Sequence, residues 1–201
     1  HDVVPRPDDV FRERLYCIRW LETIVDENGN EQIHRHYRAP TSEDLKREEK
    51  VLELLQQDFY DWQTKGYIPV RRIVPGAKTD EPIRTRGWTH WHHLFSPRQL
   101  LIHGLLARES AELKDRAQRV ACLLGINRAS NWNSKLTIWD STPGKEFVAQ
   151  TFGNQALNTL YNYGCRGLSY LKSSFSLRLP IAKCQDSLVV AADARVTEWN
   201  S

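Results

Sequence analysis

The chain has 201 residues, 40% of them hydrophobic and 26% charged, and 28 Lys and Arg against 25 Asp and Glu leave a net charge of +3. Those proportions belong to a soluble globular protein large enough for one domain with a real core, and nothing demands a second. No apolar run approaches the ~20 residues of a membrane span and no signal peptide opens the chain, so a cytoplasmic protein is the default expectation.

In chain order, residues 1–13 are rich in Pro and Asp and read as an irregular lead-in. Residues 14–25 carry the β-branched and aromatic side chains of a strand. Asp26-Glu27-Asn28-Gly29-Asn30 is a turn because Asn28-Gly29 tolerates positive φ, and residues 32–38 return as the partner strand. His34 and His36 alternate onto one face of that partner. With no third ligand nearby in the sequence, a solvated strand face is expected there rather than a metal. Thr41 or Ser42 then caps a long helix ending at Gly66, with Leu45, Leu52, Leu55, Phe59 and Trp62 as its core stripe and Glu48, Glu49, Lys50 and Glu53 as its wet side. Residues 67–82 are punctuated by Pro and Gly and carry Arg71 and Arg72, the pattern of short strands or extended loop.

Residues 84–106 are the most distinctive stretch. Two Trp and three His fall between Trp88 and His93, behind Arg84 and Arg86, a mixture that a plain core strand does not need. A helix follows with a complete start signal: Ser96 as cap, Pro97 in the first helical position, Gln99 closing a Ser-x-x-Gln box, and Phe95 with Leu100 as a hydrophobic staple. Leu101, Leu105 and Ile102 face inward. A second helix is expected after Ser110, with Leu113, Ala117, Val120, Ala121 and Leu124 continuing an apolar face toward Gly125. The polar cluster from Arg128 through Asn131, Trp132, Asn133 and Ser134 to Lys135 reads either as base or phosphate contacts or as hydrogen-bonding caps at a helix end. Ser141-Thr142-Pro143-Gly144 is a turn, residues 147–163 read as largely helical with an interruption at Gly153 and an end at Gly164 or Gly167, and residues 189–192 as a short buried strand. The fold class that results is α+β, one helix-dominated domain over residues 1–201 with a small antiparallel hairpin near the start.

Charge is distributed unevenly. Residues 41–64 hold seven acids against three bases, residues 66–103 six bases against two acids, and residues 127–185 seven bases against two acids. Two basic segments therefore flank the central helices, which is what a polyanion rewards, since each phosphate neutralised releases condensed counterions. An unevenly charged soluble protein is the plainer alternative. The four cysteines, Cys17, Cys122, Cys165 and Cys184, lack Cys-x-x-Cys spacing and read as small apolar residues, so no structural metal is expected. Neighbouring histidines on an extended chain point to opposite faces, so His90, His92 and His93 are not expected to share a metal either. The chain opens on His1 and contains no Met, which reads as an excised piece of a larger protein.

The run Gly87-Trp88-Thr89-His90-Trp91-His92-His93-Leu94-Phe95-Ser96-Pro97-Arg98-Gln99-Leu100-Leu101 resembles a segment of a bacterial family of large adenine-specific DNA methylases. Their N-terminal region is a domain of unknown function, and they are often found in anti-phage gene clusters. Three further stretches resemble the same family in the same order: Tyr37-Arg38-Ala39-Pro40-Thr41-Ser42-Glu43-Asp44-Leu45, Asn133-Ser134-Lys135-Leu136-Thr137-Ile138-Trp139-Asp140, and Thr151-Phe152-Gly153-Asn154-Gln155-Ala156-Leu157. Many members carry paired, zinc-ribbon-like cysteines before this region, where this chain has only Cys17.

The resemblance implies that the parent protein transfers a methyl group from S-adenosylmethionine to an adenine amino nitrogen. The family's Phe-x-Gly-x-Gly cofactor loop and its Asp-Pro-Pro-Tyr motif are both missing from this chain, so no catalytic residue and no cofactor are expected within it. Position between those motifs implies an inserted, target-recognition-like region whose partners are double-stranded DNA and the remaining methylase domains. Arg and Lys would grip phosphates and set register, with Arg98, Arg128 and Lys135 in the DNA-binding set, while Arg84, Arg86, Asn131 and Asn133 have donor and acceptor patterns suited to base edges. Trp88 and Trp91 could stack on a base, and His90 and His92 lie among them, although a large aromatic before a helix also serves as core. The alternative function is a module that docks other phage-defence proteins and touches DNA little; a metal-dependent nuclease on the His cluster is a third reading.

Overall fold

Local hydrogen bonds decide where the helices start. In the computed structural model, which describes residues 6–11, 14–77, 79–143, 146–153, 156–157, 166 and 171–175, Thr41 Oγ1 accepts from the Asp44 N–H at 3.3 Å while the Asp44 carboxylate accepts from the Thr41 N–H at 2.9 Å. This reciprocal box opens α1, Ser42–Lys65, and Gly66 closes it at φ 74°, a left-handed conformation that costs glycine little. Ser96 and Gln99 form the same box at α3, Pro97–Glu112, with Pro97 in the first turn as the sequence predicts. Asp115 caps α4, Arg116–Trp132, by accepting from the Gln118 N–H at 2.8 Å, so two helices follow the distinctive stretch rather than one.

A helix that the sequence reading places in loop is α2, Asp80–Arg86. Pro82 lies in its first turn, where the missing N–H has no intrahelical partner to lose, so the proline that suggests a break is compatible with a helix start. A four-residue 3-10 turn, Trp91–Leu94, links α2 to α3.

Ahead of α1, β1 (Ile18–Val25) and β2 (Glu31–Arg38) pair antiparallel in a register that sets Trp20 opposite His36 and Glu22 opposite His34. The Asp26 carboxylate closes the connecting turn by accepting from the Asn28 and Asn30 N–H groups at 2.9 and 2.8 Å. Most of this hairpin is exposed on both faces. It meets the body where Arg38 pairs with Asp44 at 3.2 Å and the Tyr37 hydroxyl donates to Glu146 at 3.0 Å.

After α4 the chain forms two small antiparallel ladders, β3 (Trp139–Asp140) with β4 (Phe147–Val148) and β5 (Phe152–Gly153) with β6 (Ala156–Leu157). These replace the expected helix over 147–157; the rest of that helix, its end at Gly164 or Gly167, and the strand at 189–192 fall outside the described residues. Extended backbone wins here because Ala149 donates to the Ile138 carbonyl at 2.6 Å and Ile138 donates to the Gln150 carbonyl at 3.2 Å, satisfying both edges non-locally.

The core has two parts. One lies between α1 and α3 and comprises Val51, Leu55, Phe59, Trp62, Ile68, Leu100 and Leu101; the other comprises Ile73, Trp88, Leu94 and Leu136, and Phe95 packs against both. Val51 joins the buried face of α1, whereas Leu45 of the expected stripe is exposed and Leu52 half-buried. Residues 7–11 of the lead-in are tied to the body: Val10 and Phe11 pack against the two clusters, and the Pro7 carbonyl accepts from Gln63 Nε2 at 2.9 Å. On α4 only Gly125 and Ala129 are buried; of the apolar face expected from sequence, Val120 and Leu124 are exposed and Ala121 is half-buried, and Leu123 beside them is exposed as well. Among the described residues, four α-helices and a small N-terminal antiparallel hairpin make the fold α+β, as the sequence predicts. Among the described residues no helix is long and apolar enough to cross a membrane.

Candidate nucleic-acid interface

The tight turn at residues 91–94 sorts the aromatic and histidine cluster into an inside and an outside. Residues 71–73 run antiparallel to 89–91, with Ile73 donating to the Thr89 carbonyl at 2.8 Å and Trp91 donating to the Arg71 carbonyl at 3.1 Å. The chain then winds at about three residues per turn, His93 donating to the His90 carbonyl at 3.0 Å, so alternation of side chains between two faces does not apply. Trp88 goes inside, at 4% exposure, and Trp91 stays outside at 36%. Trp88 is therefore a core residue, held between Ile73, Leu94 and Leu136, and is withdrawn from any DNA-contacting set.

His90, His92 and His93 are buried as well, and with them His103 of α3. Their partners assign tautomers. His92 Nε2 lies 2.9 Å from the Asp9 carbonyl and His103 Nε2 lies 3.2 Å from the Asn133 carbonyl, so each carries its proton there. His93 Nδ1 accepts from the Thr89 N–H at 3.2 Å, which leaves the proton on Nε2. Burial holds all four below the usual imidazole range: His92 down to about 4 and His93 to about 3, where repulsion from His92 and His90 adds to burial, and His90 and His103 in the same direction. Neutral, interior rings of this kind act as packing and hydrogen-bonding parts, not as a cationic contact. The 4.3 Å edge-to-face approach of His92 to His93 and the 5.5 Å approach of Phe59 to His92 fit that role.

The polar segment after α4 resolves in favour of structure. Asn133 and Lys135 are 0% and 1% exposed. Asn133 Oδ1 accepts from Gln99 Nε2 at 3.3 Å and from the Arg166 N–H at 3.0 Å, tying the end of α4 to the start of α3. Lys135 Nζ donates to the Phe11 carbonyl at 3.1 Å and sits 5.3 Å from the Trp88 ring. His90, His92, Asn133 and Lys135 thus join Trp88 as interior residues that cannot reach a duplex. Arg98 is turned the other way, its Nε donating to Glu48 of α1 at 2.8 Å, so its charge is already met.

What remains on the surface converges. A cleft of about 790 Å³ lies between residues 66–71, the 91–94 turn and the second half of α4. Three residues of the set proposed from sequence line it, Trp91, Arg128 and Asn131, and two outside that set join them, Arg71 and Asn127. No carboxylate is among the described residues that line it, so the cleft is positive, with Trp91 and an apolar floor of Ile68, Leu94, Phe95 and Leu136 beside the polar groups. The sequence carried a signal for Arg71 in the basic count of residues 66–103; the pairing of 71–73 with 89–91 that brings it beside Trp91 is non-local and had none. Arg84 and Arg86 are exposed on the last turn of α2 and do not line the cleft.

Such an arrangement offers planar cationic forks, amide donor–acceptor pairs and one exposed indole, which suits a ligand bearing phosphates and planar rings. Elsewhere, Glu22, His34 and His36 bring their ligand atoms within 4.8 Å of one another on the hairpin, so a third group does stand beside the two histidines, contrary to the sequence reading. Compared with protein-family models, with curated proteins and with solved structures, the chain matches none of them.

Proposed function

We propose that this chain is a DNA-contacting, target-recognition-like region of an S-adenosylmethionine-dependent, adenine-specific DNA methyltransferase. The observation that carries the DNA-contacting part is a cleft, with no carboxylate among its described lining residues, that Arg71, Asn127, Arg128 and Asn131 line together with the partly exposed Trp91. Arginines there neutralise phosphates and set the register of the duplex, the two asparagines offer the paired donor and acceptor that a base edge matches, and Trp91 supplies a stacking surface for an unpaired or extruded base. Methyl transfer itself, with the bound sulfonium donor, belongs to the rest of the parent polypeptide. The parent's identity rests on the four ordered sequence resemblances; finding a Phe-x-Gly-x-Gly loop before this region and Asp-Pro-Pro-Tyr after it in the native gene would support it, and finding neither would remove it.

A second reading has its own observation. Val120, Leu123 and Leu124 form an exposed apolar strip along α4, with Leu124 60% exposed at the edge of the cleft, which fits a surface that docks a partner protein. Salt distinguishes the two. Fluorescence anisotropy of a labelled duplex should show binding that weakens steeply between 50 and 200 mM salt, with a log–log slope near −0.9 per phosphate contacted. Absence of duplex binding at low salt would leave the docking reading standing.

A further inference from the structure

We propose that the N-terminal hairpin is a metal site, taking one zinc-class divalent ion on Glu22, His34 and His36. The strand register makes the set. Glu22 faces His34 directly across the ladder, and His36 lies two residues further along β2, on the same face, opposite Trp20. The three ligand atoms lie within 4.8 Å of one another. Around one zinc ion, bonds of about 2.0–2.2 Å put neighbouring ligand atoms roughly 3.3–3.5 Å apart. Closing that gap takes small side-chain rotations, and Glu22 and His34 are exposed and free to make them while His36 is half-buried.

Charge on this face favours a cation. The same register sends Arg19 and Arg35 to the opposite face of the hairpin. Arg38 is the base that shares the face; its guanidinium lies 4.5 Å over the Trp20 ring and 3.2 Å from the Asp44 carboxylate, which offsets its charge. Two imidazole nitrogens and one carboxylate are the donors that a borderline ion such as Zn²⁺ prefers over Mg²⁺ or Ca²⁺, which favour oxygen. Three protein ligands leave a coordination position open to solvent or to a further ligand.

The hairpin also has something to gain. A two-stranded ladder is marginally stable in water, and this one is exposed along nearly its whole length, so the core does little to hold it. An ion bonded to Glu22 of β1 and to His34 and His36 of β2 ties the strands together, and its binding energy becomes stability of the hairpin.

The test uses the whole chain, stripped with a chelator, and isothermal titration with Zn²⁺, with Mg²⁺ in parallel. One Zn²⁺ per chain is expected, with no comparable Mg²⁺ uptake and with amide exchange slowed across the paired residues of β1 and β2. His34→Gln and His36→Gln should each weaken Zn²⁺ binding by more than the roughly 10- to 100-fold typical of losing an outer-shell partner. Glu22→Gln should weaken it by at least about 10-fold. All three residues sit outside both cores, so unchanged helical circular dichroism in the variants keeps the comparison interpretable. His1→Gln should bind as the parent chain does. Zinc retained by a His34→Gln/His36→Gln double variant, zinc lost in His1→Gln, or equal uptake of Mg²⁺ would each overturn the proposal.

Discussion

Lowering the pH from 7.5 to 5 should destabilise this protein through its buried histidines. In the folded chain His92 titrates at about 4 and His93 at about 3, while in the unfolded chain both return to the ordinary imidazole value of 6.5. Below 6.5 the unfolded state therefore binds more protons than the folded state, and stability falls as the pH falls, until each ring titrates in the fold. At pH 5 the gap to 6.5 is worth about 2 kcal/mol for each of these rings, or about 4 kcal/mol for the pair, since a pH unit corresponds to about 1.4 kcal/mol. That is a large part of the roughly 5–15 kcal/mol that holds a domain together. His90 and His103, displaced in the same direction, add to it with the same sign. Urea unfolding followed by tryptophan fluorescence at the two pH values measures the difference. His92→Phe supplies the control: it keeps an aromatic ring against Phe59 but removes one titrating group, so its stability should decline by about 2 kcal/mol less over the same interval, whatever its stability at pH 7.5. Equal midpoints at both pH values, or a decline in His92→Phe as steep as in the parent, would refute the assignment of these rings as neutral interior parts.

Other expectations are independent of that one. A Cβ at Gly104 would lie 2.1 Å from the Cε3 atom of Trp62, a ring 1% exposed between α1 and α3, so Gly104→Ala should cost ~3 kcal/mol and lower the melting temperature measured by calorimetry. Ser96→Ala removes the side-chain acceptor that caps α3 and should cost about 1 kcal/mol in urea unfolding. Arg98→Ala breaks a partly exposed pair with Glu48, so it should change stability by less than about 1 kcal/mol and leave duplex affinity in anisotropy unaltered. Trp91→Ala should weaken binding of single-stranded DNA by about 1–3 kcal/mol, the usual worth of one base stacked on an aromatic ring.

Features written in short-range hydrogen bonds were legible in the sequence. Thr41 with Asp44, Ser96 with Gln99 and Asp26 with Asn28 and Asn30 close rings of three to five residues, and each element they govern begins or turns where the pattern says. Features set by distant partners were not. Trp88 and Trp91 are equivalent by composition; one is core and the other surface because residues 71–73 pair with 89–91 and the chain then tightens into a 3-10 turn. Asn133 and Lys135 have side chains typical of a wet surface, yet their hydrogen bonds go to Gln99 and to the Phe11 carbonyl, 34 and 124 residues away in the chain. Residues 147–150, expected in a helix, pair instead with the segment around Ile138, and 152–153 pair with 156–157. Glu22 is a companion to His34 and His36 that sequence distance hides, because strand register makes it their neighbour.

Binding of duplex DNA in the cleft, as proposed, is separated from binding on basic residues at large by one pair of variants. Arg71→Ala/Arg128→Ala alters two arginines of the cleft, whereas Arg84→Ala/Arg86→Ala removes the same charge from α2. Titrated against one labelled duplex at one low salt concentration, the cleft pair should lose affinity and reduce the salt slope by close to 2, while the α2 pair should bind nearly as the parent chain does. Equal losses in the two variants, or a loss confined to the α2 pair, would contradict it.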